Sequence, residues 1–397
     1  MMSSRQRMMA ACRGELLDRV PVAPDISNYL PCKYTRKPFW EIYINENPAL
    51  WVAYISLIKE LGVDGWFTYG NMQFELESGI SDKFTYPIVQ KPEYWTRTRI
   101  VHTPDGDLAE TIRVDEHEPP TRIKKMVEDL EKDYKKLRHL YAKPVSYDLS
   151  LLREQKKMLG EYGLLSVNIA VPSFPVYLNY FNGSLEALTY AYYDYPEIFD
   201  ELIELHHNQA VKMMEMIADC GEVDSILFGL SGGITLQSPD IFDKITFPTI
   251  QKVAALSRQG GIISGLHSCG KEMHIIRRCA LETDLDYINP LEIAPMGDSD
   301  LAEAALLYGN KITLMGNLHT TNIMLMGSPD DVKRESLIAI RDAGKGGRFI
   351  LSTGDQCGYA TPEENIRMML DTAERFGQYP LDLDAIDAEL TSMVPRR

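Results

Sequence analysis

The strongest restriction on the fold is a recurrence: short apolar runs of strand length alternate with longer stretches of helical spacing along most of the chain. Strands are expected over 20–26, 63–69, 164–171 and 225–230, in a fifth run that opens at 261–264 and carries His267, and over 285–292, 312–317 and 349–355. Helices are expected over 3–13, 48–61, 184–192, 196–220, 239–259, 271–280, 299–308, 329–344 and 362–376. In 48–61 the apolar residues Leu50, Ala53, Ile55, Leu57, Ile58 and Leu61 recur at helical spacing,. Ser184 is placed to cap the helix that follows it,. Strands that are each followed by a helix form parallel sheets with right-handed crossovers, and eight of them close into a (β/α)8 barrel. Further helical sequence over 121–138 and 148–159 is dense in charge, which reads as solvated faces,.

The pattern breaks between Tyr86 and Val114, where 96–102 and 108–114 flank Pro104-Asp-Gly-Asp107. Asp-Gly between two such runs signals a hairpin turn, so an antiparallel flap is expected there. The predicted architecture is one α/β domain over 1–397, a TIM barrel with a helical N-terminal extension and an insertion over about 80–160 that carries the hairpin,. An open doubly wound sheet is the alternative, but no Gly-x-Gly-x-x-Gly follows the first strand and no Walker loop occurs,.

Barrel chemistry sits at the C-terminal ends of the strands. There the fifth run ends in Gly265-Leu-His-Ser-Cys-Gly270, and residues two apart on extended chain point the same way, so His267 and Cys269 can reach one ion,. Such a pair alone holds zinc poorly, and free Cys and satisfied His are common at strand ends. Two partners follow strand-like segments downstream: Glu292, and Cys357 in Ser352-Thr-Gly-Asp-Gln-Cys-Gly358. Zinc accepts thiolate, imidazole and carboxylate, so His267, Cys269, Cys357 and Glu292 are the candidate ligands,. Glu292, the weakest of them, is also the catalytic candidate, since it can leave when a substrate enters. A thiol at the ion loses its proton, and a methoxy oxygen there is polarised; either leads to methyl transfer. Asp25, Tyr69, Asn168, Asn317 and Asp355 fall near expected strand ends and are candidate substrate-binding residues. His319 reads as a loop histidine, and Gly344, Gly346 and Gly347 read as a helix end and turn rather than a phosphate grip,.

Apolar residues make up 45% of the chain, the range of a globular protein with a sizeable core,. Lys and Arg total 41 against 57 Asp and Glu, and the resulting net charge of -16 disfavours nucleic acid or an anionic membrane as a partner,. The first 17 residues carry Arg5, Arg7, Arg13 and Glu15 without a continuous apolar stretch, and no later run reaches the length of a membrane span,. A cytoplasmic protein is therefore expected. Its six scattered cysteines suit reduced thiols and a metal site better than a disulfide framework,.

The sequence resembles the uroporphyrinogen decarboxylase superfamily, and within it the corrinoid-linked, zinc-dependent methyltransferases. The resemblance runs through Arg13-Gly-Glu-Leu-Leu-Asp-Arg-Val-Pro21, Leu266-His-Ser-Cys-Gly270, Leu314-Met-Gly-Asn317, Ser352-Thr-Gly-Asp-Gln-Cys-Gly358 and Thr361-Pro-Glu-Glu-Asn-Ile366. It implies His267, Cys269 and Cys357 as zinc ligands. Glu292 is similar in spacing to the carboxylate ligand of cobalamin-independent methionine synthase. It also implies methyl transfer between the cobalamin of a partner corrinoid protein and a small molecule: a thiol or pterin acceptor, or a methoxy or methylamine-type donor. The chain lacks the Asp-x-His-x-x-Gly signature of a corrinoid domain, so cobalamin is expected on a separate protein. The decarboxylase proper carries Arg-Gln-Ala-Gly-Arg-Tyr after its first strand. Here Asp25-Ile-Ser-Asn-Tyr-Leu-Pro-Cys-Lys33 stands in its place, and Trp66-Phe-Thr-Tyr-Gly70 occupies the region of its catalytic Asp. Porphyrinogen decarboxylation is thus the alternative within the fold, and a non-catalytic zinc-containing binding protein the alternative outside it.

Overall fold

The computed structural model describes residues 2–80, 84–85 and 88–393. Its first element is the helix Ser4–Arg13, closed at the start by a capping box between Ser3 and Gln6 and at the end by Gly14 at φ 68,. After a single-residue bridge at Val22 comes β1 (Gly65–Gly70), and β2 (Gln73–Leu76) leaves its C-terminal end. Five short or paired strands then form a separate antiparallel sheet: β3 (Phe84–Thr85), β4 (Ile88–Gln90), β5 (Tyr94–Thr103), β6 (Gly106–Asp115) and β7 (Thr121–Lys124). β8 (Pro144–Asp148) returns to pair with β2. The remaining strands are β9 (Gly163–Ile169), β10 (Ser225–Gly229), β11 (Ile263–His267), β12 (Tyr287–Asn289), β13 (Thr313–Leu318) and β14 (Phe349–Thr353).

β1 and β9 to β14 form one parallel sheet of seven strands in chain order, with helices in the connections. Its strands are buried on both faces, which is why they read as near-continuous apolar runs rather than alternating ones,. The expected first strand over 20–26 is reduced to a bridge. Pro21 and Pro24 have no N–H to give, so a full ladder cannot form there,. The segment nevertheless bonds to both edges of the sheet. Ala23 N–H donates to Leu351 O and Leu351 N–H to Pro21 O, each at 2.9 Å, while Asp64 N–H donates to Val22 O at 2.8 Å.

Side chains from the seven strands alternate between two clusters. Trp66, Leu164, Leu227, Ile263, Tyr287, Met315 and Ile350 meet Ala23 on one side of the sheet, and Met8, Ala11 and Cys12 of the first helix pack against them. The alternate residues, such as Phe67, Leu165, Phe228, Leu266, Ile288 and Leu351, join helix residues including Ile58, Ile250, Ile276 and Ile340. Each fully buried side chain of this size contributes about 1.5–3 kcal/mol, so both faces are strongly specified. At the N-terminal ends of the strands Arg7 donates to Asp18 at 2.7 Å and Asp64 at 2.5 Å, and Arg19 to Asp64 at 2.9 Å.

The expected hairpin is present as β5 and β6, in register from Tyr94 opposite Asp115 to Thr103 opposite Gly106. Gly106 takes φ 116 at the turn, a conformation that suits glycine,. Tyr86, the expected start of the flap, lies outside the described residues. The helix expected over 121–138 is corrected: Thr121–Lys124 is β7, and the helix is Leu130–Leu137, capped by Asp129. Thr121 and Ile123 are β-branched, and Arg122 is held to Glu110 of β6 at 3.0 Å, so cross-strand pairing outweighs the helical charge pattern,. The expected helix over 148–159 is Ser150–Leu159, with Asp148 ending β8. Two short helices, Tyr29–Thr35 and Phe39–Tyr43, were not expected. Stacking of Trp40 on Trp95, 5.7 Å between centroids, ties the second of them to the inserted sheet.

Candidate metal centre

β11 ends at His267, and Ser268 N–H donates to Asn289 O at 2.8 Å, which keeps the next residues extended beside β12. Imidazole and thiol of His267 and Cys269 are therefore carried to the same side. Gly270 follows at φ 90, and a Cβ there would lie 2.1 Å from Thr235 Oγ1, so glycine is required on both counts,. Its N–H donates to the Glu292 carboxylate, and Gly232 N–H donates to Cys269 Sγ at 3.2 Å.

Glu292 leaves the end of β12 through Leu291, a non-glycine residue at φ 64. Its N–H donates to Glu272 Oε2 at 3.2 Å, and Ser299 N–H donates to its carbonyl at 3.0 Å. Asp355 leaves β14 at φ 128, with its carbonyl accepting from Thr353 Oγ1 at 2.7 Å. Among the described residues four non-glycine side chains have positive φ, and two of them flank this cluster. Strain of this kind persists where surrounding structure imposes it, often at functional sites.

These turns bring Cys269 Sγ and carboxylate oxygens of Glu292 and Asp355 within 4.8 Å of one another. His267 Nε2 stands 3.9 Å from Asp355 Oδ1. His267 Nδ1 is 3.3 Å from Asn289 Nδ2, while the Oδ1 of that fully buried Asn289 has no partner. With the amide turned, Oδ1 accepts from Nδ1–H and the Nε2 lone pair faces the carboxylates and thiol, as a metal-binding histidine requires.

The electrostatics also favour a cation. Burial pushes the Cys269 thiol up to about 12, helped by Asp355 and Glu292. Burial does the same for Cys357, up to about 12, with Asp25 and Asp355 adding to it. The Glu292 carboxyl is raised by burial and by Asp355, against the Gly270 N–H and His267. Asp25 is raised by burial, with Ser27 and His267 opposing and Asp355 adding to it. Among the described residues His267 is the only basic side chain in an ion pair with this group. A set of thiols, carboxylates and one imidazole, short of positive charge, is the donor chemistry of zinc.

Cys357 lies in the same loop, two residues beyond Asp355, but outside the trio of mutually close ligand atoms. It is fully buried, and its N–H donates to Asp25 O at 2.8 Å. Asp25 is buried beside it, with Ser27 N–H donating to its Oδ1 at 3.0 Å. Tyr69 donates its phenol proton to Asn28 Oδ1, as does Tyr43 at 3.3 Å. Asn168 is exposed and donates to Thr68 O at 2.6 Å, bridging β9 and β1. Asn317 lines a small cavity with Glu292, Met296 and His319. His319 caps the following turn, its Nδ1 accepting from Thr321 and Asn322 N–H at 3.1 Å each. Sequence reasoning missed Glu272 and Asn289, which contact proposed ligands without being near them in sequence. The polar residue closing the apolar run Tyr287-Ile-Asn289 was the available signal for the second.

The profile described as Uroporphyrinogen decarboxylase (URO-D) matches residues 111–376. A methylcobamide:CoM methyltransferase of Methanosarcina barkeri is 25% identical over 182 residues, 45% of this chain and 50% of that protein. A uroporphyrinogen decarboxylase of Crocosphaera subtropica is 37% identical over 79 residues, 20% of this chain and 22% of that protein. The chain thus spans about half the length, or less, of these curated relatives. The solved structure of a methyltransferase from Methanosarcina mazei superposes with a TM-score of 0.63 over 95% of this chain and 99% of that one, at 16% identity, a likeness of fold.

Proposed function

Because the chain belongs to the uroporphyrinogen decarboxylase family, we propose that it is a zinc-dependent methyltransferase. It moves a methyl group between cobalamin on a partner corrinoid protein and a small thiol, pterin, methoxy or methylamine-type molecule. The observation that carries this is the convergence of Cys269, Glu292 and Asp355 within 4.8 Å, with His267 beside them. Similarity to the Methanosarcina barkeri methyltransferase, over half of its length, supports methyl transfer. The bonds made by residues 20–24 to both edges of the parallel sheet support an eight-stave closed barrel with this cluster at its mouth,.

In this mechanism His267, Cys269 and Cys357 would hold zinc, with Glu292 as an oxygen ligand. Bound zinc supplies Lewis acidity, which makes a thiol nucleophilic or a methoxy carbon easier to attack. Asn289 fixes the imidazole, Gly232 N–H accommodates charge on the Cys269 sulfur, and Gly270 N–H directs the Glu292 carboxylate,. Asp25, Tyr69, Asn168 and Asn317 line the approach and orient the substrate. The methyl carbon needs a close, in-line approach from cobalt, so the mouth receives a whole protein domain as well as the small molecule. The cytoplasm, where thiols stay reduced, suits such a centre.

The test is metal analysis combined with a methyl-transfer assay, using methylated and reduced cobalamin against thiols, pterins and methoxy compounds. One equivalent of zinc, with turnover abolished in Cys269→Ala, is expected. A zinc-free preparation that decarboxylates a porphyrinogen would instead establish the decarboxylase alternative.

A further inference from the structure

The proposed mechanism leaves open which ligand yields to the substrate, and the two carboxylates at the centre are held very differently. Glu292 is 8% exposed and anchored at three points. Gly270 N–H bonds its carboxylate, Glu272 accepts its N–H, and Ser299 N–H bonds its carbonyl. Gly297 packs so tightly that a Cβ on it would come 2.2 Å from Glu292 O. Two of these anchors fix the Glu292 backbone, and the Gly270 N–H holds the buried carboxylate itself.

Asp355 has the opposite character. Its side chain is 34% exposed, against 14% for His267, and it therefore stands on the solvent side of the cluster. Its backbone is fixed, by the Thr353 hydroxyl before it and by Gln356 Nε2 donating to Ser27 Oγ at 2.7 Å after it. Its carboxylate is not: among the described residues it has only His267, at 3.9 Å, too long for a hydrogen bond,. The φ of 128 aims this loose carboxylate at Cys269 and Glu292.

Building on the zinc reading, we propose that Asp355 ligates the ion in the resting centre and is the ligand that substrate displaces, while Glu292 stays bound throughout. As a thiol enters, its sulfur–metal bond forms, the Asp355 oxygen–metal bond breaks, and the thiol proton leaves to solvent. The displaced carboxylate swings outward, where there is room for it. Glu292, expected from the sequence to be the leaving ligand, becomes a permanent one.

Cobalt(II) in place of zinc makes the exchange visible by ligand-field absorption, titrated with 2-mercaptoethanol. Asp355→Asn keeps a residue that tolerates positive φ while removing the anionic ligand; Asp355→Gly is the second variant should the first fold poorly. Both should bind one equivalent of cobalt with an altered thiol-free spectrum. Their thiol-bound spectrum should match that of the unaltered protein, and thiol should bind severalfold more tightly because no carboxylate competes. Glu292→Gln should differ from the unaltered protein in both states. Asp355 variants that match the unaltered protein before thiol, or differ from it afterwards, would overturn the assignment. If the unaltered protein binds neither zinc nor cobalt, the metal centre itself is refuted, and the exchange with it.

Discussion

The two ends of the parallel sheet treat buried acids in opposite ways. At the N-terminal ends of the strands Asp64 is fully buried between Arg7 and Arg19, and Asp18 is paired with Arg7. At the C-terminal ends Asp25, Glu292 and Asp355 gather with two thiols, and among the described residues the only basic group in an ion pair with them is His267. In the first place the chain neutralises itself; in the second it leaves a deficit for something from outside to fill. That division is what the proposed barrel would have, with one end serving stability and the other chemistry.

The largest effect should come from the self-neutralised end. Asp64→Ala leaves the buried Arg19 guanidinium without its carboxylate and Arg7 with Asp18 alone, and should cost about 3–5 kcal/mol, read from chemical denaturation. An equal loss from Glu292→Gln in metal-free protein would erase the distinction between the two ends. Next, Cys269→Ala should weaken zinc binding by more than about 100-fold, measured against a chromophoric chelator, with Asn289→Ala falling within the 10–100-fold usual for partners that only orient a ligand. Asp355→Gly should raise the stability of the metal-free protein by about 1 kcal/mol, because relief of backbone strain exceeds the entropic penalty of glycine.

The smallest effect is one of slope with pH. Against the burial that would raise it, hydrogen bonds from Arg7 and from the Met2 N–H hold the Asp18 carboxyl well below its usual value. Its contribution is present above the ordinary value of 3.8 and is lost as pH falls through the depressed one,. Glu292 is raised, so in metal-free protein its contribution is present below 4.5 and lost as pH rises through the raised value,. Urea midpoints of metal-free protein should therefore fall less on acidification in Asp18→Asn, and less from acid towards neutral pH in Glu292→Gln.

Much of this was legible in the sequence. The apolar runs that became β9 to β14 stood out because both of their faces are buried, and Asp-Gly placed the hairpin next to its turn, which is Pro104–Asp105 between the paired Thr103 and Gly106. His267, Cys269 and Glu292 stand out as candidates because each closes or follows such a run. β7 does not, since an edge strand rich in charge has the same composition as a solvated helix. The closeness of Asp355 to Cys269 and Glu292 was also hidden. It comes with a positive φ that an aspartate does not announce. Glu272 and Asn289 matter only through contacts made across loops, which a linear pattern does not encode.

The helix at the start of the chain packs beneath the sheet and is stitched to partners made much later. Thr313 Oγ1 donates to Ala11 O across 302 residues, and Arg348 reaches Arg13 O across 335. During synthesis this segment is made before β13 and β14, so its bonds to Thr313 and Arg348 form only once those strands have followed,. Until then the cover over Met8 and Ala11 is incomplete, because Met315 and Ile350 belong to the same cluster. The foundation of the molecule is manufactured before the last strands it supports and is fully secured only with them.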